Sequence, residues 1–124
     1  MQGNRRTATA PELAVRRLLH AAGLRYRVDF PITLDELRVR PDVVFTRARV
    51  CLFVDGCFWH GCADHCRVPA ANRDYWEAKI GRNRSRDERT TAALERAGWH
   101  VIRVWEHEPP ETVAERVAQT IAGR

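Results

Sequence analysis

The chain has 124 residues, of which 44% are hydrophobic, so it is long enough and apolar enough for one compact domain with a real core. Its formal net charge of +5 and sequence pI near 9.6 suit a polyanionic partner, nucleic acid being the commonest, although a basic surface can also serve solubility alone. Mean hydropathy is −0.47 and no apolar run approaches the ~20 residues of a membrane helix, which argues against a membrane protein.

The polar opening Met1-Gln2-Gly3-Asn4-Arg5-Arg6 lacks the apolar stretch of a signal peptide. The expectation is a cytosolic protein with a single domain over residues 1–124. In that compartment the clustered cysteines Cys57, Cys62 and Cys66 suggest metal rather than disulfides. Cys51 differs, because it lies in the apolar run Val50-Cys51-Leu52-Phe53-Val54 and reads as a buried core thiol.

Leu13, Val15, Leu18, Leu19 and Ala22 fall close to helical spacing and predict a helix over 11–22. Thr7 or Thr9 can cap it, Pro11 suits its first turn and Gly23 its end. Residues 24–30 alternate with period two and predict a strand with one wet face. A second strand is expected over 39–46, with an edge position or bulge at Pro41. The continuous apolar run at 49–54 predicts a buried central strand. A loop rich in Gly, Cys and His follows over 55–70, then a helix over 72–97 that can break near Gly81 and stops at Gly98. A strand at 100–105 and an amphipathic helix at 110–122, with Pro110 in its first turn, complete the chain.

Four features carry chemistry. In Arg40-Pro41-Asp42 an acid stands at a strand end, and the strand that follows ends in Val54-Asp55, so the two ends can lie side by side. A carboxylate, a backbone carbonyl and a second carboxylate there suit one hard cation such as Mg²⁺, a common layout for phosphodiester hydrolysis. Pro-Asp is equally an ordinary turn dipeptide. Cys57, Cys62, His65 and Cys66 have the density of a zinc site, and His107, just past the last strand, can complete it. Metal-free thiols are the alternative. Phe58 and Trp59 can wedge into a base stack or simply cap the core, and His60 can serve as a general base or stand as a plain polar residue. Lys79, Arg82, Asn83 and Arg86 fall at helical spacings on a face that can follow phosphates or only be solvated, with Asp87 pairing a neighbouring arginine or orienting His60.

Together these pieces resemble the very-short-patch-repair (Vsr) mismatch endonucleases. The matching segments are Thr9-Ala10-Pro11-Glu12, Arg40-Pro41-Asp42, Phe53 to His60, Val68-Pro69, Tyr75-Trp76, Lys79-Ile80 with Asn83, Arg86-Asp87, Gly98-Trp99 and Val104-Trp105-Glu106. The resemblance implies a restriction-endonuclease-like α/β three-layer sandwich with a central mixed sheet and a structural zinc site. It implies Mg²⁺-dependent nicking of duplex DNA 5′ to the thymine of a T:G mismatch, which starts repair of deaminated 5-methylcytosine. Asp42 and the Val54 carbonyl would hold Mg²⁺, His60 would activate water, and Glu12 and Asp87 would support the site. Phe58, Trp59 and Trp76 match the family's intercalating aromatics, and Lys79 and Asn83 its DNA-contacting helix. Asp55 stands where the family has a histidine and is a further candidate metal ligand. The implied zinc ligands are Cys57, Cys62, His65 and His107, with Cys66 the rival of His65. The segment before Arg5 is short beside the family's N-terminal arm, which points to relaxed mismatch specificity. A monomer in the cytoplasm, acting at the nucleoid beside mismatch-repair proteins, is the implied setting. A nuclease of different site preference linked to defence or modification, and a non-catalytic zinc-stabilised DNA-binding module, are the competing readings.

Overall fold

The structure is a computed structural model that describes residues 10–34, 37–56 and 71–123. Helix α1 (Ala10–Ala21) buries Val15 and Leu19, one turn apart. It ends in a Schellman motif: Gly23 takes φ 81°, its N–H donates to His20 O, and Leu24 N–H donates to Leu19 O. The expected caps Thr7 and Thr9 lie outside the described residues.

Strands β1 (Ile32–Thr33) and β2 (Arg38–Val39) form an antiparallel pair of their own. The main sheet has the order β3-β4-β5, with β3 (Val43–Phe45), β4 (Val50–Asp55) and β5 (His100–Trp105). β3 runs antiparallel to β4 and β5 parallel to it, so the sheet is mixed and β4 is its central strand. Helix α2 (Arg73–Arg96) precedes β5, and α3 (Pro110–Ala122) follows it.

Side chains that alternate along β4 feed two cores. Val50 and Leu52 join Val43, Phe45, Ile102 and Val104 beneath Val15 and Leu19 of α1 and Val113 and Val117 of α3. Cys51 faces the other way, with Val44, Leu94 of α2, and Ile32 and Val39 of the small sheet. Helices therefore cover both faces of β4, which explains its unbroken apolar run. Cys51 is fully buried, and burial pushes its thiol up to about 12, so it is an inert core residue.

Three elements differ from the sequence expectation. Residues 24–30 form no strand. Only Arg27 bridges Val44, and Asp29, at φ 53°, turns the chain out of the extended conformation two residues later. The run 39–46 divides at Pro41, which brings no N–H to a ladder: Val39 pairs with β1, and pairing with β4 starts at Val43. Helix α2 passes through Gly81 without a break. One glycine costs a helix about 1 kcal/mol, which a helix of 24 residues absorbs. α2 stops in a second Schellman motif, with Gly98 at φ 95°, Gly98 N–H on Glu95 O and Trp99 N–H on Leu94 O. Among the described residues, no helix is long and apolar enough to cross a membrane.

Candidate active site

The chain segment entering β3 is tied to the far end of β4. Asp42 N–H donates to Leu52 O at 3.0 Å, and one Asp42 carboxylate oxygen accepts the Val54 N–H at 2.6 Å. The fully buried Pro41 anchors the segment just before it. Backbone groups alternate sides along a strand. Asp55 O accepts Glu106 N–H on the β5 side, so the Val54 carbonyl points to the β3 side. Since β3 pairing begins at Val43, opposite Leu52, the Val54 carbonyl and the Asp42 carboxylate share a corner beyond the end of β3.

Glu12, in the first turn of α1, approaches the same corner. Its side chain is 12% exposed and pairs with Arg16 at 3.4 Å. Burial first, and the negative charge of Asp42 second, push the Glu12 carboxyl from its usual 4.5 up to about 7, against the opposing pull of Arg16. Two carboxyl groups that repel each other beside a backbone carbonyl are a donor set suited to a hard cation. Mg²⁺ needs only one or two carboxylates and leaves its other positions to water and phosphate. Among the described residues, no three or more His, Cys, Asp or Glu side chains converge as a metal site, so this corner stands on the smaller donor set.

A raised carboxyl pKa stabilises the fold at low pH. The contribution is complete below 4.5 and is lost as pH rises through about 7. Without added magnesium, Glu12→Gln should therefore gain stability relative to the parent between pH 5 and pH 8, by roughly 2–3 kcal/mol. Urea unfolding at the two pH values checks this, and an equal gap at both would contradict it.

Asp55 is engaged elsewhere. Both of its carboxylate oxygens accept from Arg103 Nη1 at 3.2 Å. Arg103 Nε donates to Thr91 Oγ1 at 2.7 Å, and the guanidinium lies 4.1 Å from the Phe53 ring centroid. Asp87 Oδ1 is 3.9 Å from Arg103 Nη1, so Asp87 faces the sheet through this arginine, which lies outside its own helix. Sequence reasoning missed Arg103. The available signal was an arginine flanked by Ile102 and Val104 in a strand that runs beside Asp55.

Trp76 is half-buried and meets Tyr75 edge to face at 5.0 Å. Lys79 and Asn83, one turn apart on α2, are half-buried too, and Arg86 donates to Asn83 Oδ1 at 3.3 Å. His107 is exposed in the turn after β5, two residues beyond the Asp55–Trp105 pair. Cys57, Phe58, Trp59, His60, Cys62, His65 and Cys66 lie outside the described residues.

The family model described as DNA mismatch endonuclease Vsr matches residues 1–67, more than half the chain. The chain belongs to the Vsr family. It is thus a DNA-nicking hydrolase by family. It is 48% identical to the type II nicking enzyme V.NaeI of Lentzea aerocolonigenes, over 98% of this chain and 74% of the relative. The type II nicking enzyme V.XorIIP of Xanthomonas oryzae is 47% identical over 87% of this chain and 77% of its own length. The DNA mismatch endonuclease Vsr of Escherichia coli is 41% identical over 79% of this chain and 61% of its own length. The Asp42–Val54 corner and Glu12 all fall within the matched Vsr segment.

Proposed function

We propose that this Vsr-family chain nicks duplex DNA on the 5′ side of the thymine in a T:G mismatch and so initiates very short patch repair. The observation that carries the reading is the Asp42 carboxylate seated on the Val54 N–H, with the Val54 carbonyl directed to the same corner and Glu12 beside it. Asp42 and the Val54 carbonyl would hold Mg²⁺, with Glu12 as the flanking carboxylate. Bound there, Mg²⁺ supplies the positive charge that offsets charge building on the scissile phosphate. His60 takes the proton from the attacking water, Glu12 orients that water, and Asp87 supports the site from α2.

Phe58, Trp59 and Trp76 stack against the opened mismatch, while Lys79 and Asn83 follow the backbone along α2. A structural zinc would be held by Cys57, Cys62, His65 and His107, with His65 preferred to Cys66, and would pin the segment that carries the wedge and the base. The three layers and mixed sheet fit a restriction-endonuclease-like sandwich in a single domain over residues 1–124. An asymmetric lesion suits a monomer working at the nucleoid of the cytoplasm, alongside mismatch-repair proteins.

One observation favours a second reading within the same chemistry. The relatives at 48% and 47% identity bear the names of type II nicking enzymes, which suits a site preference matched to a modification system. A panel of end-labelled duplexes in Mg²⁺ tests the proposal. The T:G duplex should be nicked at least about 100-fold faster than the matched one, a difference worth roughly 3 kcal/mol of transition-state binding. Equal rates would remove the mismatch claim.

A further inference from the structure

Arg103 is an arginine on the inner face of the sheet, with a side chain only 22% exposed. It stands opposite Phe53 in the parallel ladder, so Asp55, two residues on, lies diagonal to it on the same face. Every part of the guanidinium is used. Nη1 holds both Asp55 oxygens, Nε holds Thr91, Nη2 reaches the Asp87 carbonyl at 3.4 Å, and the cation covers the Phe53 ring. Asp55 is itself 14% exposed and Asp87 19%, so one cation stands between two mostly buried carboxylates. Asp55 also immediately follows Val54, whose backbone forms the corner with Asp42.

A carboxylate with both oxygens on a guanidinium is a poor ligand for a second cation. With the arginine removed, the same carboxylate, beside Asp87 and in little water, gains by turning to any nearby positive charge. We infer that Arg103 is a positioning residue that withholds Asp55 from the divalent cation and thereby sets cation affinity at the Asp42–Val54 corner. This rests on that corner being the cation site. The arrangement leaves Asp42 as the charged protein ligand and keeps positions open for water and the scissile phosphate. It also joins α2, through Thr91 and Asp87, to the end of β4.

The test uses zinc-replete full-length protein and Mn²⁺ alone as the probe, with free Mn²⁺ read by electron paramagnetic resonance. Arg103→Met keeps a flexible apolar side chain over Phe53 and removes every donor. It should tighten Mn²⁺ binding about tenfold, and the added substitution Asp55→Asn should cancel the gain. Asp55→Asn alone, which keeps an acceptor oxygen for Arg103, should leave Mn²⁺ affinity within about threefold of the parent. That variant keeps the inference open to refutation even if Arg103→Met fails to fold. A merely structural role for Arg103 predicts unchanged or weaker Mn²⁺ binding in Arg103→Met, and that result would overturn the inference. So would a loss beyond tenfold in Asp55→Asn, because it would make Asp55 a ligand in the parent. Asp42→Asn is the separate control. If it leaves Mn²⁺ affinity unchanged, the cation reading of the corner fails, whatever Arg103 does.

Discussion

Asp42→Asn should lower the nicking rate roughly 1000-fold, equivalent to about 4 kcal/mol of transition-state stabilisation, and leave the fold intact. The asparagine is chosen for what it retains. Its carbonyl oxygen can still accept the Val54 N–H that Asp42 accepts at 2.6 Å, so the tie between the β3 entry and the end of β4 survives. Only the charge is removed. Asp42→Ala should cost similar activity, and also stability, because it leaves a partly buried Val54 N–H without its acceptor, at about 1–3 kcal/mol. Single-turnover nicking together with urea unfolding separates the two effects. Nicking within tenfold of the parent in Asp42→Asn would refute the assigned role of Asp42.

The second large effect is on stability. Leu52 is fully buried in the middle of β4, between the α1 and α3 side chains and the strands on either side. Its own backbone carbonyl receives Asp42 N–H. Leu52→Ala removes core packing and leaves a cavity, which should cost about 2–5 kcal/mol. Domains of this size have only ~5–15 kcal/mol of stability, so a large share would be lost. Urea unfolding should show a lower midpoint with an unchanged slope. A midpoint shift worth less than about 1 kcal/mol would mean that the core closes around the gap, contrary to the packing described. Activity should fall with the folded fraction, because Leu52 anchors the corner without touching DNA.

The elements most legible in the sequence were those with local signals. α1 and α2 end where Gly23 and Gly98 supply the left-handed residue that closes a Schellman motif. The unbroken apolar run of β4 announced burial on both faces, and the structure places α1 and α3 on one side and α2 on the other. The failures were tertiary. Residues 24–30 have a strand's alternation, but the turn at Asp29 leaves Arg27 as the single bridge. The break at Gly81 did not occur because the rest of α2 carries the helix through.

The site divides in the same way. Asp42 and Glu12 were legible through the family motifs, although nothing in the sequence shows that their charges act on each other across α1 and β3. Asp55 was legible as a carboxylate beside the corner. Its capture by Arg103 was not, because that contact depends on the parallel register of β4 and β5, 48 residues apart in the chain. Asp87 was expected to orient His60 or to pair with an arginine nearby in the chain, and its arginine comes from β5. The segment from Cys57 to Cys66, which bears the zinc and wedge assignments, rests on the sequence alone.

Asp42-dependent nicking at the mismatch is tested most directly by mapping the cut on a T:G duplex labelled at either 5′ end, in Mg²⁺, with the parent and Asp42→Asn run side by side. One nick is expected in the thymine strand, immediately 5′ to the mismatched thymine, with an intact guanine strand and no product from Asp42→Asn in the same time. Cleavage of both strands, or a nick of equal strength from Asp42→Asn, would contradict it.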